Sequence, residues 1–219
     1  MAQLLIDIWS DVVCPWCYIG KRRFEAALSQ FEHRDDVEVT WHSFELDPSA
    51  PPVVEGRAAE RLAAKYGMTV QEAEERQAEV AAQAAREGLV YDLAEARSGN
   101  SFNAHRLIHL AAERGIGNRV AERLMSAYFG EREPIGDTAT LQRLAVEAGL
   151  PEDEVADLLA GDRLADAVRA DEEAAAQLGI RGVPFFVLGR RYGVSGAQPA
   201  DIMLQALGQA WDEVVAKAA

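Results

Sequence analysis

The chain has 219 residues, 49 % of them hydrophobic, and a formal net charge of −14. That length and apolar content suit a soluble globular protein whose core needs no disulfide. The negative charge repels phosphate backbones and anionic lipid faces, so nucleic acid and membrane surfaces are excluded as partners, and no stretch approaches the length of a transmembrane helix. The apolar run at the N-terminus is short, lacks a basic leader and is interrupted by Asp7, which favours a strand over a signal peptide and a cytoplasmic location.

Leu4, Ile6 and Ile8 alternate with Leu5, Asp7 and Trp9, the pattern of a buried central strand over residues 3–9. Pro15, a favoured first-turn residue, opens a helix with Phe24, Leu28 and Phe31 on one face. Val37–Phe44 reads as a second strand, and residues 46–52, with three prolines, as a loop. From about residue 57 to 178 the pattern is helical. Thr69 and Glu72 form a capping box for a helix ending at Gly88. Further helices run from near Phe102 to Gly115 and from near Asn118 to Phe129. Asp137 caps one that stops at Gly149, Pro151 opens one that stops at Gly161, and Asp162 caps a long one ending at Gly179. Two short strands follow, Pro184–Leu188 and Arg191–Val194, joined by a tight turn at Gly189-Arg190. The last helix runs from Pro199 to near Lys217, with Leu204, Leu207, Trp211 and Val215 on one stripe. The order predicts a compact α/β unit, residues 1–50 and 179–219, around an all-helical block at 51–178.

The only two cysteines, Cys14 and Cys17, flank Pro15-Trp16 at the first strand-to-helix junction. An ordinary thiol is only about 3 % thiolate at pH 7. At a helix start, unpaired N–H groups and the helix dipole favour the anion. Lys21, Arg22 and Arg23 add positive charge one to two turns on, weakened by screening. Cys17, one turn inside the helix, is expected to be more buried and harder to ionise. That asymmetry makes Cys14 the nucleophile and Cys17 the thiol that resolves its mixed disulfide. Zinc needs two more ligands, and His105 and His109 are the only pair spaced to supply them, so no metal is expected.

Cys14-Pro15-Trp16-Cys17 after Ile8-Trp9-Ser10-Asp11, with Gly182-Val183-Pro184-Phe185-Phe186 and Val194-Ser195-Gly196-Ala197-Gln198-Pro199 far downstream, resembles the DsbA-like thioredoxin superfamily. Asn103-Ala104-His105-Arg106-Leu107, Tyr128-Phe129 and Ile135-Gly136-Asp137 resemble the helical insertion of its cytosolic FrnE-like branch. The resemblance implies a thioredoxin fold interrupted by an all-helical insertion domain. It also implies a cis Val183–Pro184 bond facing the cysteine pair, with the backbone before Pro184 pairing with substrate. Some members carry a second cysteine pair near the C-terminus and this chain does not, so turnover needs an external thiol or disulfide couple such as glutathione, with no bound cofactor.

Other residues carry weaker expectations. The family places the insertion helix bearing Asn103, His105 and Arg106 over the cleft, which makes these three, with Ser195 and Gly196, candidates for substrate binding. Trp16 offers an apolar contact. Asp11 is read as a cap on the turn before Cys14, with proton shuttling as the alternative, and His42 as a packing or edge residue. The leading reading is a disulfide oxidoreductase acting on protein or small-molecule thiols and disulfides. The alternatives are a glutathione-dependent isomerase or transferase related to 2-hydroxychromene-2-carboxylate isomerase, and a non-catalytic peptide-binding or chaperone module. Apolar helix faces in the insertion leave a homodimer open.

Overall fold

The computed structural model describes residues 3–218. The elements are β1 (Leu4–Ser10), α1 (Pro15–Gln30), β2 (Val37–Ser43), α2 (Ala58–Tyr66), α3 (Val70–Arg86), α4 (Phe102–Ala112), α5 (Gly117–Gly130), α6 (Thr138–Glu147), α7 (Glu152–Ala160), α8 (Ala165–Gln177), β3 (Phe185–Leu188), β4 (Tyr192–Ser195) and α9 (Ala200–Ala218), with single 3-10 turns at Arg34–Asp36 and Leu93–Glu95. The chain packs as two units. One combines the residues up to Phe44 with those from Ala170 onward; the other is Glu45–Arg169.

The first unit is built on a four-stranded sheet in the order β2-β1-β3-β4. β1 pairs with β2 in parallel, Leu4 opposite Val37 and Ser10 opposite Ser43. It pairs with β3 antiparallel, Ile8 opposite Phe186, and β3 continues into β4 antiparallel. The period of two along β1 sends Leu4, Ile6 and Ile8 into a core with Phe24 and Phe31 of α1, Phe186 and Leu188 of β3, and Met203 and Leu207 of α9. On the opposite side Trp9 packs with Ala175 of α8, Ile180 and Phe185. Three residues, Gly189–Arg191, join β3 to β4 with Leu188 opposite Tyr192; Gly189 and Arg190 take left-handed φ of 59° and 56°, and Arg191 N–H donates to the Leu188 carbonyl at 3.1 Å.

The second unit is helical. Ala59 and Ala63 of α2 meet Ala73 of α3, small residues that let the two axes approach closely. Leu107 and Leu110 of α4, Leu124 and Phe129 of α5, Leu141 and Leu144 of α6, and Val155 and Leu158 of α7 are fully buried. The capping box forms: the Thr69 hydroxyl accepts from Glu72 N–H, and the Glu72 carboxylate accepts from Thr69 N–H at 2.8 Å.

Three details depart from the sequence reading. α8 begins at Ala165, not beside Asp162, because Leu164 takes a left-handed φ of 64° that a continuous helix cannot contain. α8 does not belong wholly to the helical block: from Ala170 onward it packs with the sheet, where Asp171 and Ala175 are engaged. The buried stripe of α9 is Met203, Leu207 and Ala210; Leu204 and Trp211 are only partly covered and Val215 is exposed.

Candidate active site

The cysteine pair sits where β1 hands the chain to α1. The turn between them is fixed locally. The Asp11 carbonyl accepts from Cys14 N–H at 3.1 Å, and the buried Asp11 carboxylate accepts from Val13 N–H at 3.3 Å. That second bond is the short-range turn an aspartate makes with its own backbone two residues on. Cys14 is the N-cap of α1 and Pro15 its first residue; the first turn holds no acidic side chain. The Cys14 sulfur therefore stands at the positive end of the helix dipole.

Both cysteines are free thiols, 4 % and 1 % exposed. Their environments differ. The Cys14 thiol donates to the carbonyl of Val183 at 3.5 Å. The Cys17 sulfur lies inside and accepts from Asp11 N–H at 3.5 Å. Burial pushes the Cys17 thiol well above the ordinary thiol range, and contact with Cys14 adds to this; Asp11 N–H and the Ser10 hydroxyl act in the opposite direction. Trp16 is 36 % exposed, an indole offered to solvent beside a buried sulfur.

The Val183–Pro184 peptide bond is cis. Its loop is tied to α1 from two directions. Gly20 lies so close that a Cβ there would stand 2.8 Å from Pro184 Cγ and 3.4 Å from Ala197 Cβ. One turn on, Arg23 Nη1 donates to the Ala197 carbonyl at 2.6 Å. Gly196 N–H closes the circuit by donating to the Pro184 carbonyl at 2.8 Å, and the Ser195 carbonyl accepts from Gln198 Nε2 at 2.8 Å. Cys14, Cys17, Pro15, Trp16, Val183, Pro184, Ser195 and Gly196 thus all belong to the sheet-bearing unit. Gly20 and Arg23 join them, although no motif marks them. A glycine inside a helix, where it costs about 1 kcal/mol against alanine, is the one signal that could have drawn attention to Gly20.

Asn103, His105 and Arg106 belong to the helical unit. Arg106 is buried, its fork fully engaged: Nε donates to the Arg163 carbonyl at 2.9 Å, Nη2 to the Leu158 and Gly161 carbonyls at 2.6 and 2.8 Å, and Nη1 to Asn103 Oδ1 at 2.9 Å. These bonds close the C-terminal end of α7, whose last carbonyls lack helical partners. Arg106, expected as a substrate-binding candidate, is thus engaged in closing this part of the helical unit, and Asn103 shares in that network. His105 is buried on the same helix. Among the described residues no group of three or more His, Cys, Asp or Glu side chains is placed to hold a metal ion, and no helix is long and apolar enough to cross a membrane.

His42 occupies a different part of the sheet. Its Nδ1 is 2.6 Å from Asp171 Oδ1, its Nε2 2.9 Å from Asp7 Oδ1, and its ring stacks on Trp9 with centroids 4.4 Å apart. Burial alone would lower its pKa, but the hydrogen bonds to Asp171 and Asp7 and the charges of both carboxylates outweigh it and raise it.

A strand-helix-strand start, a helical interruption, a strand-strand-helix finish and a Cys-x-x-Cys pair facing a cis-proline loop together define a thioredoxin-type fold. A family model described as the DSBA-like thioredoxin domain matches residues 5–208, and the chain belongs to that family. The solved structure of a probable DsbA oxidoreductase from Streptomyces coelicolor is 50 % identical, with a TM-score of 0.92 over 96 % of this chain and 91 % of that one. The uncharacterized protein YwbO of Bacillus subtilis (strain 168) is 30 % identical over 204 residues, 92 % of this chain and 94 % of its own. The cytosolic disulfide reductase DsbM from Pseudomonas aeruginosa, solved with GSH, shares the fold at 20 % identity and a TM-score of 0.63, covering 94 % of this chain and 98 % of that one. The fold is a thioredoxin fold interrupted by a helical insertion.

Proposed function

We propose that the protein is a thiol–disulfide oxidoreductase in which Cys14 is the nucleophile and Cys17 resolves. The observation that carries this reading is the unequal placing of the two sulfurs: one at a helix N-cap against the Val183 carbonyl, the other sealed behind it and hard to ionise. Cys14 attacks a substrate disulfide at the end of its S–S axis, displaces one thiolate and becomes a mixed disulfide. Cys17 then attacks the Cys14 sulfur, releases the second thiol and leaves the enzyme pair oxidised. The reverse sequence passes a disulfide to a dithiol. The Val183 edge would take the extended backbone of a peptide substrate, and Trp16 its apolar side chain.

With only two cysteines in the chain, no second pair can relay electrons, so an external thiol couple restores the starting state. Glutathione suits that role, as the fold-mate DsbM was solved with GSH and is a cytosolic reductase. Substrates are disulfides or thiols of proteins or small molecules, encountered in the cytoplasm.

The test is trapping. Cys17→Ala should accumulate mixed disulfides through Cys14 that run as reducible adducts on non-reducing gels, whereas Cys14→Ala should accumulate few. Equal trapping by the two variants would overturn the assignment of roles.

A further inference from the structure

The peptide group joining Ser10 to Asp11 is held on both sides. Its carbonyl accepts from Phe44 N–H at 3.2 Å, which ties it to the residue that follows β2. A trans peptide plane points its N–H away from its C=O, and on that far side Asp11 N–H donates to the Cys17 sulfur at 3.5 Å. Two further bonds fix the residue that carries this donor. The Asp11 carbonyl accepts from Cys14 N–H at 3.1 Å, and its carboxylate accepts from Val13 N–H at 3.3 Å. Asp11 and Cys17 are both buried, so the contact is shielded from water. A thiol sulfur is a weak acceptor, whereas a thiolate is a strong one. A donor already aimed at the sulfur therefore gains most when the proton leaves, and needs no rearrangement to do so. The same bond opposes the effect of burial on the Cys17 thiol.

We infer that the Asp11 N–H is a catalytic donor of the resolving step: anchored from behind by the sheet, it holds the negative charge on the Cys17 sulfur as that sulfur attacks. The inference rests on the dithiol–disulfide reading above. In that step the Cys17 thiol proton passes to solvent. The electron pair left on Cys17 Sγ forms the bond to Cys14 Sγ, and the bond between Cys14 and the substrate sulfur breaks. The released pair leaves on the substrate sulfur, which takes up a proton from solvent. Cys17 is oxidised, the departing substrate sulfur is reduced, and Asp11 keeps its amide proton throughout.

Cys14 allows the donor to be removed by one atom. Residues 1–13, made by synthesis as a thioester, are ligated to the expressed remainder of the chain at Cys14, with the α-hydroxy analogue of aspartate at position 11, so that an ester oxygen replaces the N–H. The control carries the same change at Val12, whose N–H makes no hydrogen bond to either sulfur among the described residues. Each reduced protein is mixed with excess oxidised glutathione, quenched with acid at intervals and its species counted by mass. Glutathionylation should stay within twofold of wild type in both. The Asp11 ester should then resolve to the internal disulfide about tenfold more slowly than the Val12 ester, the loss expected for one hydrogen bond to a charged group. Both phases are read in one molecule, so a general loss of stability does not pass for the effect. Equal resolution by the two esters overturns the inference. A second measurement needs no ligation: in Cys14→Ala, where Cys17 is the one thiol left, the Asp11 amide proton should move downfield by NMR in step with ionisation of Cys17, and an unmoved resonance overturns the inference equally. Failure of wild type to form either the glutathionylated protein or the internal disulfide overturns the dithiol reading and the inference with it.

Discussion

Gly20 and Pro184 are in contact so close that a single added methyl group cannot fit between them: it would stand 2.8 Å from Pro184 Cγ. α1 thereby sets the position of the loop whose Val183 carbonyl faces Cys14. Alanine at position 20 gains helix propensity of about 1 kcal/mol but overpacks the site, at a cost of roughly 1–3 kcal/mol. Gly20→Ala is expected to be no more stable than wild type in urea titration and to exchange disulfides several-fold more slowly.

Arg23 holds the neighbouring loop by its bond to the Ala197 carbonyl. Arg23→Met keeps the aliphatic stem and removes the donor, and should cost about 1 kcal/mol. Because Gly20 and Arg23 act on the same loop, their effects should not add in the double variant. Denaturant midpoints of wild type, both single variants and the double variant give the coupling directly.

His42 makes stability depend on pH. Its pKa is raised in the folded state by Asp171 and Asp7, so the folded protein binds the proton more tightly than the unfolded chain. The stabilisation is full below the unfolded value of about 6.5 and is lost as pH rises through the higher folded value. Urea midpoints should therefore fall from slightly acid toward alkaline pH, and His42→Gln should flatten that slope. Asp171 also accepts from Ser43 N–H at 2.7 Å, so Asp171→Asn should weaken the slope and the fold together.

Arg106 tests the difference between a structural and a ligand-binding arginine. Removing its fork takes a donor from each of the Leu158, Gly161 and Arg163 carbonyls and a packed side chain from the helical unit, so Arg106→Met should cost about 2–4 kcal/mol. Lysine cannot reproduce a planar fork reaching several acceptors, so Arg106→Lys should recover little of the loss. Thermal melting reads both. An arginine serving only as a surface anion clamp would leave the melting temperature unmoved.

The features legible in the sequence are those written in neighbouring residues. Thr69 and Glu72 state a helix start three residues apart, Gly189-Arg190 state a hairpin turn, and Cys14-Pro15-Trp16-Cys17 state a helix start. The alternation groups Leu4, Ile6 and Ile8 on one face of β1, and that face packs on α1 and α9. What is hidden depends on distant partners. The α9 stripe is read one residue out of phase because Ala210, small and buried, gives no apolar signal against the bulky but exposed Val215. The pairing of α8 with the sheet rests on Asp171, a polar residue whose value comes from His42 and Ser43, more than a hundred positions away. Gly20 and Arg23 acquire their roles only once Pro184 and Ala197 are beside them.

The pairing of β1 with β3 carries a temporal consequence. The Val183 carbonyl that faces Cys14 lies 169 residues further along the chain. At a translation rate of roughly 5–20 residues per second, the two sulfurs leave the ribosome about ten to thirty seconds before their cover is made. For that interval the nascent chain carries an unguarded dithiol, open to whatever oxidant or thiol the surrounding medium supplies.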